Sequence, residues 1–186
     1  MKEVEILARI FDNLEQVKTK LSNFEFEGSK KTLDVYFTHP DNQQLQPDKN
    51  FQLKNILRLR NKDNRAYLTY KINHFDEYGV WTYADEHEVK ISDFNETKKI
   101  LLSLHFTPLI TINNIKHTYL TNKYEIVLEE VEDLGNFIEV ERLAVTEQEN
   151  IEAIKKEIRE FLNSLNIKFE ELNSGKPELM LQKITK

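Results

Sequence analysis

The 186-residue chain contains no cysteine. Disulfide scaffolds and thiolate metal sites are therefore excluded. It also lacks a secretory leader pattern and any apolar run long enough to span a membrane as a helix. These absences predict a cytoplasmic protein with no membrane partner. Positive charge is in deficit, the formal net charge being -6 at pH 7, which argues against a general nucleic-acid binder because such proteins present a basic face to phosphates. No repeat, low-complexity tract or linker interrupts the chain. Residues 1–186 are thus expected to form one domain, and the 39% hydrophobic content is enough for a core without staples.

What is present is alternation. Lys2 to Phe11 sets Val4, Ile6, Ala8 and Ile10 on one face and Glu3, Glu5, Leu7 and Arg9 on the other. Lys31 to Thr38 reads as a strand ending at His39-Pro40, and the polar run from Asp41 to Phe51 as a loop long enough to be mobile. Residues 54–62 alternate Leu57 and Leu59 with Arg58 and Arg60, and a turn at Lys62-Asp63-Asn64 leads into a return strand carrying Lys71. Val80 to Ile91 places Glu86 and Glu88 on one parity, and Thr107 to Tyr119 forms a strand containing Lys116. The hairpin from Glu125 to Arg142, turning at Leu134-Gly135, puts Glu125, Val127 and Glu129 on one face with Phe137, Glu139 and Glu141 opposite.

Helical spacing appears at Asn13 to Asn23, after Ser92-Asp93 with Phe94, Ile100, Leu101 and Leu104 as a buried stripe, and at Glu147 to Leu165 with Ile151, Ile154, Ile158, Phe161 and Leu162 on one side. An exposed remainder of that last stripe would suit a homodimer. About eight strands joined mostly by short turns, with helices between them, predict an α+β protein on an antiparallel sheet large enough to close into a barrel. On most strands one face is apolar and the other charged. The helices should therefore pack outside and the charges line the interior, where unpaired ions would cost several kcal/mol each unless the space is wet, metal-filled or occupied by a polyanion.

The pieces EVEI (Glu3 to Ile6), DVYFTHP (Asp34 to Pro40), LRLR (Leu57 to Arg60), LTYK (Leu68 to Lys71), EHEV (Glu86 to Val89) and LEEVEDLGNFIEVE (Leu128 to Glu141) occur in one order along nearly the whole chain. Together they resemble the CYTH proteins, or triphosphate tunnel metalloenzymes, and the last piece resembles the prokaryotic class IV adenylyl cyclase branch. The resemblance implies an eight-stranded antiparallel β-barrel forming a tunnel. It implies that Arg58, Arg60, Lys71 and Lys116, with Arg9 as a partial substitute, hold a triphosphate. It further implies that Glu3, Glu5, Glu129, Glu139 and Glu141 hold Mg²⁺ or Mn²⁺, with Glu86 and Glu88 also on the tunnel wall. The activity implied is conversion of ATP to cyclic AMP and pyrophosphate; hydrolysis of thiamine triphosphate, nucleoside triphosphate or inorganic triphosphate, and non-catalytic binding of such compounds, are the alternatives.

The residue types suit that chemistry. Carboxylates two apart on a strand face offer hard oxygen ligands to a divalent cation, guanidinium forks match non-bridging phosphate oxygens, and lysines add compact charge. The sequence also departs from the family pattern, with Leu7 where the opening motif Glu-x-Glu-x-Lys carries lysine, Ala84 and Asn114 at cationic positions, and Glu129 in place of an aspartate. His39, His74, His87, His105 and His117 show no metal-ligand spacing, and Tyr36 and Trp81 read as packed or rim aromatics before any role in stacking a base.

Overall fold

The period-two alternation becomes a single antiparallel sheet in the computed structural model, which describes residues 2–185. In chain order the strands are β1 (Lys2–Glu3), β2 (Glu5–Ile10), β3 (Glu25–Thr38), β4 (Asn55–Lys62), β5 (Arg65–Phe75), β6 (Trp81–Ile91), β7 (Thr107–Leu120), β8 (Tyr124–Val131), β9 (Gly135–Arg142) and β10 (Phe169–Glu171). The helices are α1 (Leu14–Leu21), α2 (Phe94–Ser103), α3 (Ile151–Ser164) and α4 (Lys176–Ile184).

The sheet order is β1-β6-β5-β4-β3-β7-β8-β9-β2-β10. Its ends meet through the chain itself, because only Val4 separates β1, paired to β6, from β2, paired to β9. The opening strand, expected to be continuous, thus breaks at Val4 and serves both edges, and the Arg142 amide donates to the Val4 carbonyl at 3.0 Å to hold the break. Counting β1 and β2 as one strand gives the eight-stranded ring; β10 then covers the edge of β2 that β6 does not reach.

Outward-facing residues follow the apolar parity. Ile6, Ala8, Ile126, Leu128, Ile138 and Val140 are buried against Val17 and Leu21 of α1 and Ile154, Ile158 and Leu162 of α3. Asn13 and Asn150 cap these helices, accepting from the amides of Glu15 and Ala153. The second cap starts α3 at Ile151 rather than at Glu147. Its apolar stripe is spent on the barrel. α2 covers Val35, Leu57 and Leu59 through Leu101 and the partly buried Phe94, whereas Ile100 and Leu104 are 58% and 56% exposed. This corrects the expected four-residue stripe: at about 100° per residue Phe94 and Leu101 align, while the other two fall roughly 80–120° away. The loop from Asp41 to Phe51 is folded by a 3₁₀ turn at Gln43–Leu45 and by Asp48, whose carboxylate accepts from the Asn50 and Gln52 amides.

One helix does not pack outside. Met180 and Leu181 of α4 lie against Leu7, Ile110, Ile112, Val131 and Phe137, all of them on the inward parity. α4 therefore fills part of the barrel interior. Gly175 caps its start, where a Cβ would come within 2.7 Å of the Glu178 carboxylate. Among the described residues, no helix is long and apolar enough to cross a membrane.

Candidate functional site

The space that α4 leaves inside the barrel is a cavity of about 570 Å³. Its wall follows from strand parity. Arg58, Arg60 and Lys62 of β4 face it beside Lys71 and Asn73 of β5 and Glu86 and Glu88 of β6, with Lys71 directly opposite Glu86 in the ladder. Glu3, Glu5 and Leu7 enter from β1 and β2, Lys116 from β7, and Glu139 and Glu141 from β9.

Every deep cation has an acidic neighbour. Lys71 Nζ bridges Glu3 and Glu86, lying 2.8 Å from the latter. Although its burial disfavours charge, the carboxylates of Glu3, Glu5 and Glu86 raise its proton affinity, so it stays an ammonium. Arg60 forks onto Asp34, with both contacts at 2.7 Å. Burial alone would raise the Asp34 carboxyl, but Arg60 holds it well below the ordinary range. Arg58 donates to the Thr69 hydroxyl at 3.2 Å, and that hydroxyl donates to Glu88 at 2.8 Å.

The fourth network centres on Glu129, which has no exposed surface. It accepts from Asn114 Nδ2 at 2.7 Å, lies 3.3 Å from Lys116 Nζ, and shares Lys176 Nζ with Glu139, both at 2.5 Å. Asn114, at a position where the resemblance led to a cation, thus serves as a neutral donor to this carboxylate. Burial alone would raise Glu139; Lys176 and then Lys116 bring it well below its ordinary value.

Across β8, β9 and β2, Glu125, Glu141 and Glu5 stand in one transverse row of directly paired residues. Like charges so placed repel. Burial, then Glu139 and Glu3, raise Glu5 well above its ordinary value; burial, then Glu3, Glu139 and Glu125, push Glu141 up to about 8. One Glu5 oxygen is buried without a hydrogen-bond partner. Such oxygen-rich, under-neutralised carboxylates have the donor chemistry of a hard divalent cation. Among the described residues, however, no group of three or more acidic side chains is gathered closely enough to hold a metal ion. Lys71 and Lys176 sit between the oxygens.

Of the residues singled out in the sequence, Glu3, Glu5, Arg58, Arg60, Lys71, Glu86, Glu88, Lys116, Glu139 and Glu141 lie on the cavity wall, and Glu129 lies behind it. Arg9 does not join them. Paired to Phe137 at the far end of β2, it places its guanidinium 4.9 Å from that ring and donates to the Leu134 carbonyl at 2.8 Å. The reason is local: α4 and its apolar cluster fill the inner face there, and the hairpin tip offers a carbonyl.

Several wall residues were not among the sequence candidates. Lys62 and Glu125 continue the parity of Arg60 and Val127, so the period of two marks them. Lys176 has no such signal, since it comes from the tail and owes its place to α4. The cavity wall also carries Phe75, Tyr78 and Trp81 and the amides of Gln52, Asn73 and Asn173, together with the charged Lys155, Arg159 and Glu171. Tyr78 is 83% exposed, and the Trp81 indole donates to Asn73 at 3.1 Å with Lys155 Nζ 4.6 Å from its ring centre.

The CYTH domain model matches residues 1–172. An adenylate cyclase candidate of Methanocaldococcus jannaschii is 30% identical over 168 residues, which is 90% of this chain and 91% of that one. A Pyrococcus horikoshii protein of solved structure superposes with a TM-score of 0.79 at 28% identity, covering 97% of this chain and 99% of the other. An adenylyl cyclase candidate from Hippeastrum, whose structure is described as revealing a dominant triphosphatase activity, shares the fold with a TM-score of 0.64 at 19% identity over 94% and 92% of the two chains. A barrel closed by its own first strand, an interior of paired acids and bases, and a match over nearly its whole length show that the chain belongs to the CYTH domain family.

Proposed function

We propose that this protein is a divalent-metal-dependent adenylyl cyclase that converts ATP to cyclic AMP and pyrophosphate. The observation that carries the reading is a single cavity whose wall joins the cations Arg58, Arg60, Lys71 and Lys116 to the aromatic side chains Phe75, Tyr78 and Trp81. A phosphate chain needs the first; a heteroaromatic base attached to it uses the second.

Arg58, Arg60, Lys71 and Lys116 would hold the phosphate chain. Asp34 keeps the Arg60 fork in one orientation, so little rotamer freedom is lost when an anion arrives. Glu3, Glu5, Glu139 and Glu141, with Glu129 behind them, would hold Mg²⁺ or Mn²⁺. When bound, such an ion neutralises phosphate charge and lowers the pKa of a coordinated hydroxyl. The wall would have to hold the chain so that the ribose 3′-oxygen meets the α-phosphorus opposite the departing pyrophosphate, with positioning and charge supplying the acceleration.

Incubation of the pure protein with ATP, thiamine triphosphate or tripolyphosphate plus Mg²⁺ or Mn²⁺ tests this. Cyclic AMP with pyrophosphate from ATP is the expected outcome. Orthophosphate from any of the three would establish a triphosphate hydrolase instead, and binding without turnover would establish a non-catalytic module.

A further inference from the structure

We infer that Lys176 is a built-in cation occupying the carboxylate set, which a divalent ion must displace to bind at Glu129 and Glu139; this rests on the metal-binding reading of those carboxylates. Its ammonium lies 2.5 Å from an oxygen of each, and the two acids come from neighbouring strands, β8 and β9. Glu129 is wholly buried and the Lys176 side chain is only 13% exposed. Two adjacent buried carboxylates without that charge would be strongly disfavoured, so the lysine is an integral part of the metal-free site.

Lys71 performs the same bridging between Glu3 and Glu86, but from the middle of β5, with ladder partners on both sides. Lys176 instead stands at the first residue of α4. Because that residue lies outside the sheet, the helix turn that carries it can shift together with its flexible side chain without breaking a ladder hydrogen bond. The same pairing bears on why the acids are not drawn together as a ready metal cage: an oxygen of each of Glu3, Glu86, Glu129 and Glu139 is turned toward a lysine, while Glu5 keeps an unpartnered buried oxygen. Residue 176 lies beyond the segment matched by the family model, which ends at 172.

Competition for the same oxygens has two consequences. Metal affinity is lowered by the work of expelling Lys176, and the first turn of α4 is loosened as the ion enters, because the helix loses the ionic contact at its leading end.

Mn²⁺ titration followed by calorimetry, with no nucleotide present, tests this on four proteins: parent, Lys176→Met, Lys176→Arg and Glu139→Gln. Lys176→Met should bind Mn²⁺ at least tenfold more tightly than the parent, Lys176→Arg should stay within about threefold, and Glu139→Gln should lose most binding. If Lys176→Met binds no more tightly while Glu139→Gln still loses binding, competition is wrong and the metal reading stands. If Glu139→Gln binds like the parent, the metal reading itself fails. Should Lys176→Met not fold, hydrogen exchange in the parent decides the matter. The Leu179 amide, which donates to the Gly175 carbonyl at 3.1 Å, should exchange faster with saturating Mn²⁺; unchanged or slower exchange would overturn the proposal.

Discussion

Leu7 stands directly opposite Glu139 on the barrel's inner face, yet it is 8% exposed and packed with Tyr36 and Met180. Its neighbours are thus half ionic and half apolar. Leu7→Lys would bring a second ammonium to a carboxylate that Lys176 already serves and would cost apolar burial, of about 2 kcal/mol. The expected result is a melting temperature lower by roughly 4–8 °C, read by calorimetry; an unchanged or higher value would show that the position tolerates charge. Glu178 offers a pH test. It is 6% exposed, accepts from the Leu53 amide at 3.3 Å, and burial pushes its carboxyl up to about 7. A raised carboxyl pKa favours the protonated folded state, so its stabilisation is complete below the unfolded value of 4.5 and is lost as pH rises through about 7. Glu178→Gln should therefore match the parent near pH 4.5 and exceed it near pH 8 by about 2–3 kcal/mol. Equal stability at both pH values would remove Glu178 from this account.

At the scale of elements, each strand's parity was legible because burial on one face and charge on the other leave a period-two record. Arg58 with Arg60, Glu86 with Glu88 and Glu139 with Glu141 come to the same cavity for that reason alone. Parity cannot tell where an inner face changes occupant. Arg9 shares a face with Glu5 but lies where α4 has displaced the wet interior, so it turns to a carbonyl. Lys176 was illegible for the complementary reason: a helix of nine residues at the end of the chain reports its own amphipathicity, not the barrel it enters. The break at Val4 and the three residues of β10 are set by how the ring closes, which local pattern does not encode. Capping was legible, and it supports a prediction. Asn150 is the cap of the helix that covers β2 and β9, so Asn150→Ala should cost about 1 kcal/mol, or roughly 2–4 °C. A change of under half a degree in thermal unfolding would mean that the cap contributes nothing.

For the whole molecule, Arg58, Arg60, Lys71 and Lys116 each already have an acidic neighbour, so an anionic ligand competes for those pairs, while Glu5 and Glu141 remain under-neutralised. A triphosphate engages several of these cations at once, whereas a monophosphate engages fewer. ATP with Mg²⁺ at about 100 times its dissociation constant should add about 2.7 kcal/mol, roughly 5–10 °C in melting temperature, and AMP at equal concentration clearly less. Arg58→Ala should erase most of the difference. Equal shifts for AMP and ATP in the parent would count against a clamp for phosphate chains.

The strand that closes the ring is made before the strands it pairs with. Glu5 pairs with Glu141 and Leu7 with Glu139, so the opening segment leaves the ribosome long before either partner exists. At roughly 5–20 residues per second, its apolar side of Val4, Ile6, Ala8 and Ile10 waits on the order of 10 s for β9, with β10 and α4 later still. The nascent chain therefore carries an unpaired, half-oily edge until β9 has been made, and a holding chaperone would act in that interval.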